Sequence, residues 1–293
     1  MDVFMRKLVV TDVRVIPGDS AFLIDDGKTA ILYDTGFAFT GVKLAENVKK
    51  VLGERTLDYI FLTHSHYDHA LGSCYVKKVY PNAKVVAGEY AEQIFKKPSA
   101  KKLMRELDNK FAHTLGVESY LDLIDDLAVD VSVKDGDEII AGDMRFIAVY
   151  LPGHTKCSFG FYMPENKLLL SCETIGVYWG QNTVIPSYLV GYQITLDSIA
   201  RVEKMDIENI FIPHYGLLEK KETQKYLKLC KKSAKETARE VAELFKAQKT
   251  DEEIFQFFKN KFYFGQITEF YPKDAFELNT RITIALLKRE IAL

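Results

Sequence analysis

Apolar positions along the chain fall into short runs separated by polar turns, and the runs differ in period. Leu57–Leu62, with Tyr59-Ile60-Phe61-Leu62 inside it, reads as a buried strand. Residues 8–35 predict antiparallel strands: Leu8–Val15 alternates loosely, and Ala21–Ile24 and Thr29–Tyr33 are apolar. Asp25-Asp26-Gly27 is a turn between them, and Asp34-Thr35-Gly36 ends the last one in a tight bend. Further strands are predicted at Lys84–Ala87, Ser132-Val133, Met144–Tyr150, Phe159–Met163 and Lys167–Ser171, with turns at 135–137, 141–143 and 164–166. Val42–Leu52 has helical spacing, as does Ile194–Met205. Between Glu89 and Leu127 the pattern turns helical: Ser99 is placed to cap a helix reaching about Leu115, and a second helix is expected near Tyr120–Leu127. From Glu219 the chain is helical and charged, with Tyr226, Leu227, Cys230, Ala234, Ala238, Val241, Ala242 and Phe245 forming one apolar stripe. Thr250 and Glu253 make a capping-box pattern ahead of Ile254–Phe262, and Asp274–Ile291 predicts a last helix.

One form occurs twice. Asp58-Tyr59-Ile60-Phe61-Leu62-Thr63-His64 and Glu208-Asn209-Ile210-Phe211-Ile212-Pro213-His214 both start polar, run apolar and close on histidine. Ile31–Gly36 and Leu169–Thr174 make a second, weaker echo in the same order, which suggests a duplicated half.

Composition narrows the setting. A formal net charge of −2 supplies no global basic field, so neither nucleic acid nor an anionic membrane is an expected partner. No apolar run approaches the roughly 20 residues of a membrane span. Met1–Lys7 has no signal-peptide profile. Cys74, Cys157, Cys172 and Cys230 lack paired metal spacing and read as thiols of a reducing compartment, which places the protein in the cytoplasm.

The chemistry concentrates after the first buried strand. His64, His66, Asp68 and His69 form the pattern H-x-H-x-D-H at a strand's C-terminal edge, where α/β sheets expose side chains to a crevice. Imidazoles are common ligands for zinc and suit iron. His64 and His66 point to one side of an extended segment, while Asp68 and His69 sit where the chain turns away. His154, after Pro152-Gly153, and His214, after Ile212-Pro213, again close strands, and Glu173 follows another. Five of the six histidines thus fall at strand ends; His113 lies in the helical stretch and reads as surface or core. Seven side chains, His64, His66, Asp68, His69, His154, Glu173 and His214, are the candidate ligands of a two-metal site, where a bound water becomes a nucleophile.

These motifs resemble the metallo-β-lactamase-fold hydrolase superfamily, over roughly residues 8–216. The spacing and helical tail are similar, within it, to the quinolone-signal response thioesterase group. The resemblance implies an α/β fold: an αβ/βα sandwich of two mixed sheets flanked by helices, with a helical insertion at about 89–127 and a C-terminal helical extension. It implies one domain over 1–218 and an extension over 219–293 covering the active-site side. It also implies two divalent metals, zinc first, with iron or manganese as alternatives. His64, His66 and His154 would hold one, Asp68, His69 and His214 the other, and position 173 would bridge them. Asp68 would be catalytic, orienting the attacking hydroxide. The family usually has Gly-Asp where this chain has Cys172-Glu173; Glu173 is the expected ligand and Cys172 the rival. Asp34 matches a position behind the metals. Tyr178, Trp179, Tyr188 and Tyr192 are candidates for the substrate pocket.

The expected function is metal-dependent hydrolysis of an ester, thioester or lactone in a small-molecule substrate. The alternatives are a phosphodiesterase or nuclease, for which Lys96-Lys97 and Lys101-Lys102 are candidate contacts, and a non-catalytic metal-bound regulator. A homodimer through the C-terminal helices is a further expectation. Diiron oxidoreductase chemistry of the flavodiiron kind is disfavoured, since that group has Glu where this chain has His66.

Overall fold

The computed structural model describes residues 8–291, so Met1–Lys7, the stretch read for a signal peptide, lies outside the described residues. The chain divides into two compact units.

Unit 1 holds residues up to Tyr150 together with Phe159–Leu170. Its elements are β1 (Val9–Asp12), β2 (Phe22–Asp25), β3 (Ala30–Tyr33), α1 (Gly41–Leu52), β4 (Tyr59–Phe61), α2 (Tyr67–Ala70) and α3 (Ser73–Val79). They continue as β5 (Lys84–Gly88), α4 (Glu89–Phe95), α5 (Pro98–Thr114), β6 (Val131–Val133), β7 (Glu138–Ala141), β8 (Met144–Tyr150), β9 (Phe159–Met163) and β10 (Leu168–Leu170). Strands β1 to β6 form a mixed sheet in sequence order, antiparallel through β3 and parallel from β3 to β6. Strands β10-β9-β8-β7 run antiparallel in a second sheet. The two sheets share a core: the Phe61 ring on β4 lies 5.0 Å from that of Phe146 on β8 and 4.6 Å from that of Phe161 on β9. Burial of such side chains, each removing a large apolar area from water, is the main stabilising term. Helix α1 buries Leu44, Val48 and Leu52 and packs with α3.

Unit 2 holds Leu151–Ser158 and Ser171–Leu293. It contains the β11 (Val177–Tyr178) and β12 (Val184–Ile185) pair, α6 (Tyr192–Glu203), the antiparallel hairpin of β13 (Asn209–Ile212) and β14 (Gly216–Glu219), and α7 (Lys220–Lys246). Then come α8 (Asp251–Phe262), α9 (Ile267–Phe270) and α10 (Lys273–Ile291). Helix α7 buries Tyr226, Leu227, Cys230, Ala234, Ala238 and Val241, the stripe its spacing predicts. Helix α10 packs on α7 and α8, and α6 packs on α7. The chain is therefore α/β, with sheets flanked by helices and a helical C-terminal extension.

Local departures from expectation have local causes. Ser99 is not the cap of α5; the helix starts one residue earlier with Pro98, whose fixed φ and missing N–H suit the first turn. The expected helix at Tyr120–Leu127 is only a single 3-10 turn, Ile124–Asp126. Four strands escaped the pattern: β7, hidden between two Gly-Asp turns, the two-residue strands β11 and β12, and β14, which lies between His214 and the charged helical stretch. The capping box at α8 is formed as expected, with Thr250 Oγ1 accepting from Glu253 N at 3.2 Å and Glu253 Oε2 accepting from Thr250 N at 2.8 Å.

Candidate metal centre

In unit 1 the H-x-H-x-D-H motif follows β4 directly. The His64 and His66 rings lie 4.5 Å apart and those of His64 and His69 4.1 Å apart, so the three imidazoles meet. Asp68 Oδ2 is 3.7 Å from His69 Nε2. Asp34, fully buried, anchors this group from the end of β3. Its Oδ2 accepts from His69 Nδ1 at 2.8 Å and from Ser20 Oγ at 3.1 Å. Its Oδ1 accepts from Thr63 N at 2.9 Å, and the Thr63 hydroxyl lies 3.1 Å from both carboxylate oxygens. A hydroxyl has one proton. With that proton given to Asp34, Thr63 Oγ1 accepts from His64 Nδ1 at 3.0 Å. Both His64 and His69 are thereby fixed in the tautomer whose Nε2 carries the lone pair, the form that ligates a metal. Thr35 adds a backbone lock: its N–H and its hydroxyl both donate to His69 O at 2.8 Å.

In unit 2 two expected histidines meet around one expected carboxylate. Glu173, on the 3-10 turn after β10, places Oε2 2.8 Å from His154 Nε2 and Oε1 3.4 Å from His214 Nε2. His154 Nδ1 pairs with Ser187 Oγ at 2.6 Å, and Thr174 Oγ1 accepts from His154 N at 3.1 Å. Trp179 stacks on His214, with centroids 5.9 Å apart. His214 has a φ of 64° and Asp34 a φ of 52°. Such left-handed conformations are uncommon outside glycine and cluster at functional positions.

The rival ligand turns elsewhere: Cys172 is buried with Sγ directed at Leu151 O, 4.0 Å away. None of the four cysteines forms a disulfide. His113, read as surface or core, is exposed, with its Nδ1 2.6 Å from Asn109 O. Tyr188 is core and packs edge-on against Tyr192, while Tyr178 packs on Tyr215 and Tyr226. Three of the four lysines considered as nucleic-acid contacts are engaged nearby: Lys96 with Glu92, Lys102 with Glu106, and Lys101 with Asp125 O. Ser20 and Thr63, which hold Asp34, and Ser187, which pairs with His154, carry no sequence signal, because what marks them is a partner distant in the chain.

The chain belongs to the metallo-β-lactamase superfamily, whose sequence pattern it matches over residues 18–214. It is similar to a hydroxyacylglutathione hydrolase of Bartonella tribocorum, with 30% identity over 120 residues, 41% of this chain and 35% of that one. It is also similar to the metallo-beta-lactamase fold-containing protein ST1585 of Sulfurisphaera tokodaii, with 24% identity over 174 residues, 59% of this chain. The matches span 35% and 66% of these relatives' own length. The crystal structure of the metallo-beta-lactamase family protein TTHA1429 from Thermus thermophilus shares the fold, with a TM-score of 0.64 at 17% identity, covering 98% of this chain and 95% of that one. Among the described residues no helix is long and apolar enough to cross a membrane.

Proposed function

We propose that the chain is a metal-dependent hydrolase of an ester, thioester or lactone bond. The observation that carries the reading is Glu173, whose two carboxylate oxygens are directed at two different histidines, His154 and His214. A carboxylate so placed would act together with both histidines in holding divalent cations. Under this reading His64, His66, His154 and Glu173 make one ligand group, and Asp68, His69 and His214 the other. Imidazole and carboxylate donors without thiolate fit zinc, iron or manganese. A pair of divalent cations, when bound, lowers the pKa of water toward neutrality and polarises a carbonyl.

The chain's own residues do the rest. Asp34 and Thr63 fix the tautomers of His69 and His64. Asp68, beside His69, would orient the attacking water. Trp179 walls the His214 side and lines a cavity with Phe262, Phe264 and Ile267 of the C-terminal extension, which supports a role for those helices in covering the site. Thioester cleavage is favoured within the proposed range by the relatives named as hydroxyacylglutathione hydrolases.

The test is to measure bound metal by mass spectrometry and to screen acyl thioesters, lactones and phosphodiesters with and without chelator. About two metal ions per chain are expected, with turnover of one of the first two substrate classes, lost on chelation and in His66→Ala. Activity indifferent to both treatments, or turnover confined to phosphodiesters, would overturn the reading.

A further inference from the structure

Helix α7 carries a second pattern on the face opposite its buried stripe. Lys221, Lys225, Lys228, Lys232, Lys235 and Arg239 follow one another at spacings of 4, 3, 4, 3 and 4, and all six are exposed. At a rise of 1.5 Å per residue they form a straight row roughly 27 Å long. Among the described residues the side chains of Lys221, Lys225, Lys228, Lys235 and Arg239 make no ion pair or hydrogen bond, and Lys232 only reaches Glu236 at 4.0 Å. Like charges three and four apart repel along a helix. An arrangement chosen for helix stability alone would intersperse acidic residues in the row, as the chain does elsewhere with Lys249–Glu253 and Lys96–Glu92. Among the described residues of α7 no large apolar side chain is exposed.

We propose that this row docks the protein on an anionic lipid surface. The net charge of −2 does not oppose this, because screening at physiological salt confines the field to within about 8 Å, and the local charge decides. Four to eight basic residues on one amphipathic helix suffice for attraction to anionic headgroups. Geometry selects the target. A straight row meets a plane along its whole length. A duplex laid parallel to it offers backbone only where a strand crosses the line, and two crossing protein helices touch over a few turns. Five of the six cations are lysine, a hydrated point charge suited to a diffuse headgroup layer rather than to forked recognition of one phosphate. With no large apolar side chain on the face, docking is at the surface, without insertion. At the row's N-terminal end a groove of about 550 Å³ is lined by Lys220, Lys221, Lys225 and Lys228, with Glu208 across it, leaving room for a headgroup.

The experiment is co-sedimentation of the full chain with phosphatidylcholine vesicles, with and without phosphatidylserine, at low and physiological salt. Binding is expected only with phosphatidylserine and is expected to weaken with salt. Near such a surface each lysine is worth about a fivefold change in partitioning, so the triple variant Lys225→Gln, Lys228→Gln, Lys232→Gln is expected to lose about 100-fold. Its melting temperature and metal content should be unchanged, which separates this result from loss of fold or of the hydrolase site. Equal partitioning onto neutral vesicles, an unaffected triple variant, or tighter binding to a 20-base-pair duplex or to polyglutamate than to the anionic vesicles would each overturn the proposal.

Discussion

At the scale of single residues, the outcome turns on one carboxylate at the end of β3. Asp34 receives Ser20, Thr63 and His69 together in full burial. Asp34→Asn keeps the shape but puts an amide N–H where an acceptor is needed. Metal affinity is expected to fall about 10–100-fold, the usual cost of losing a partner that orients a ligand, as measured by competition with a chromophoric chelator. Glu173→Asp restores the residue usual in the superfamily, one methylene shorter. Because the longer side chain is what reaches both His154 and His214, the expected result is a drop toward one retained ion per chain, counted by mass spectrometry. The motif histidines were legible in the sequence because they close apolar runs, and Asp34 because it matches a position of the family that the motifs resemble. Ser187 was not, because its role depends on His154, 33 positions away.

Among the elements, long amphipathic helices and fully buried strands were readable because their period persists over several turns or a whole apolar run. Strands β11, β12 and β14 were not, because two to four residues cannot establish a period and their pairing is set by tertiary neighbours. Helix α8 shows how local chemistry fixes a boundary. Thr250→Ala removes its cap and is expected to cost about 1 kcal/mol, read as a lower denaturation midpoint. Glu253 in the same box is held at about 2, below its usual 4.5, first by Lys249 and then by Thr250. A depressed carboxylate stabilises above its unfolded pKa, so this contribution should be complete above pH 4.5 and fade as pH falls toward 2. Gly72, between α2 and α3, marks another boundary: a Cβ there would lie 1.9 Å from Thr35 O. Gly72→Ala must therefore push the bend after β3 away from the motif, and both melting temperature and metal content are expected to drop.

For the molecule as a whole, the superfamily fold follows from pattern, while helix α5 and the C-terminal helices add packing that the motif-bearing strands do not supply. The insertion helix α5 sends Asp108 inward, where it accepts from Ala38 N at 2.9 Å and Phe39 N at 3.3 Å. Phe111 from the same helix packs on Phe37 and Phe39, and Phe37 packs on Tyr67, inside the histidine motif. Burial pushes the Asp108 carboxyl up to about 6, against the opposing pull of its hydrogen bonds. A carboxyl raised in the folded state stabilises below its unfolded pKa, and that contribution is lost as pH rises through about 6. Relative to Asp108→Asn, the wild type should thus lose stability between about pH 4 and 7, by about 3 kcal/mol at most, in denaturant titrations at each pH. The same clamp has a consequence for engineering: the insertion cannot be trimmed as an ornament. Excising it would unfasten the stretch between Asp34 and Thr40, and the protein would forfeit its grip on metal well before its sheets came apart.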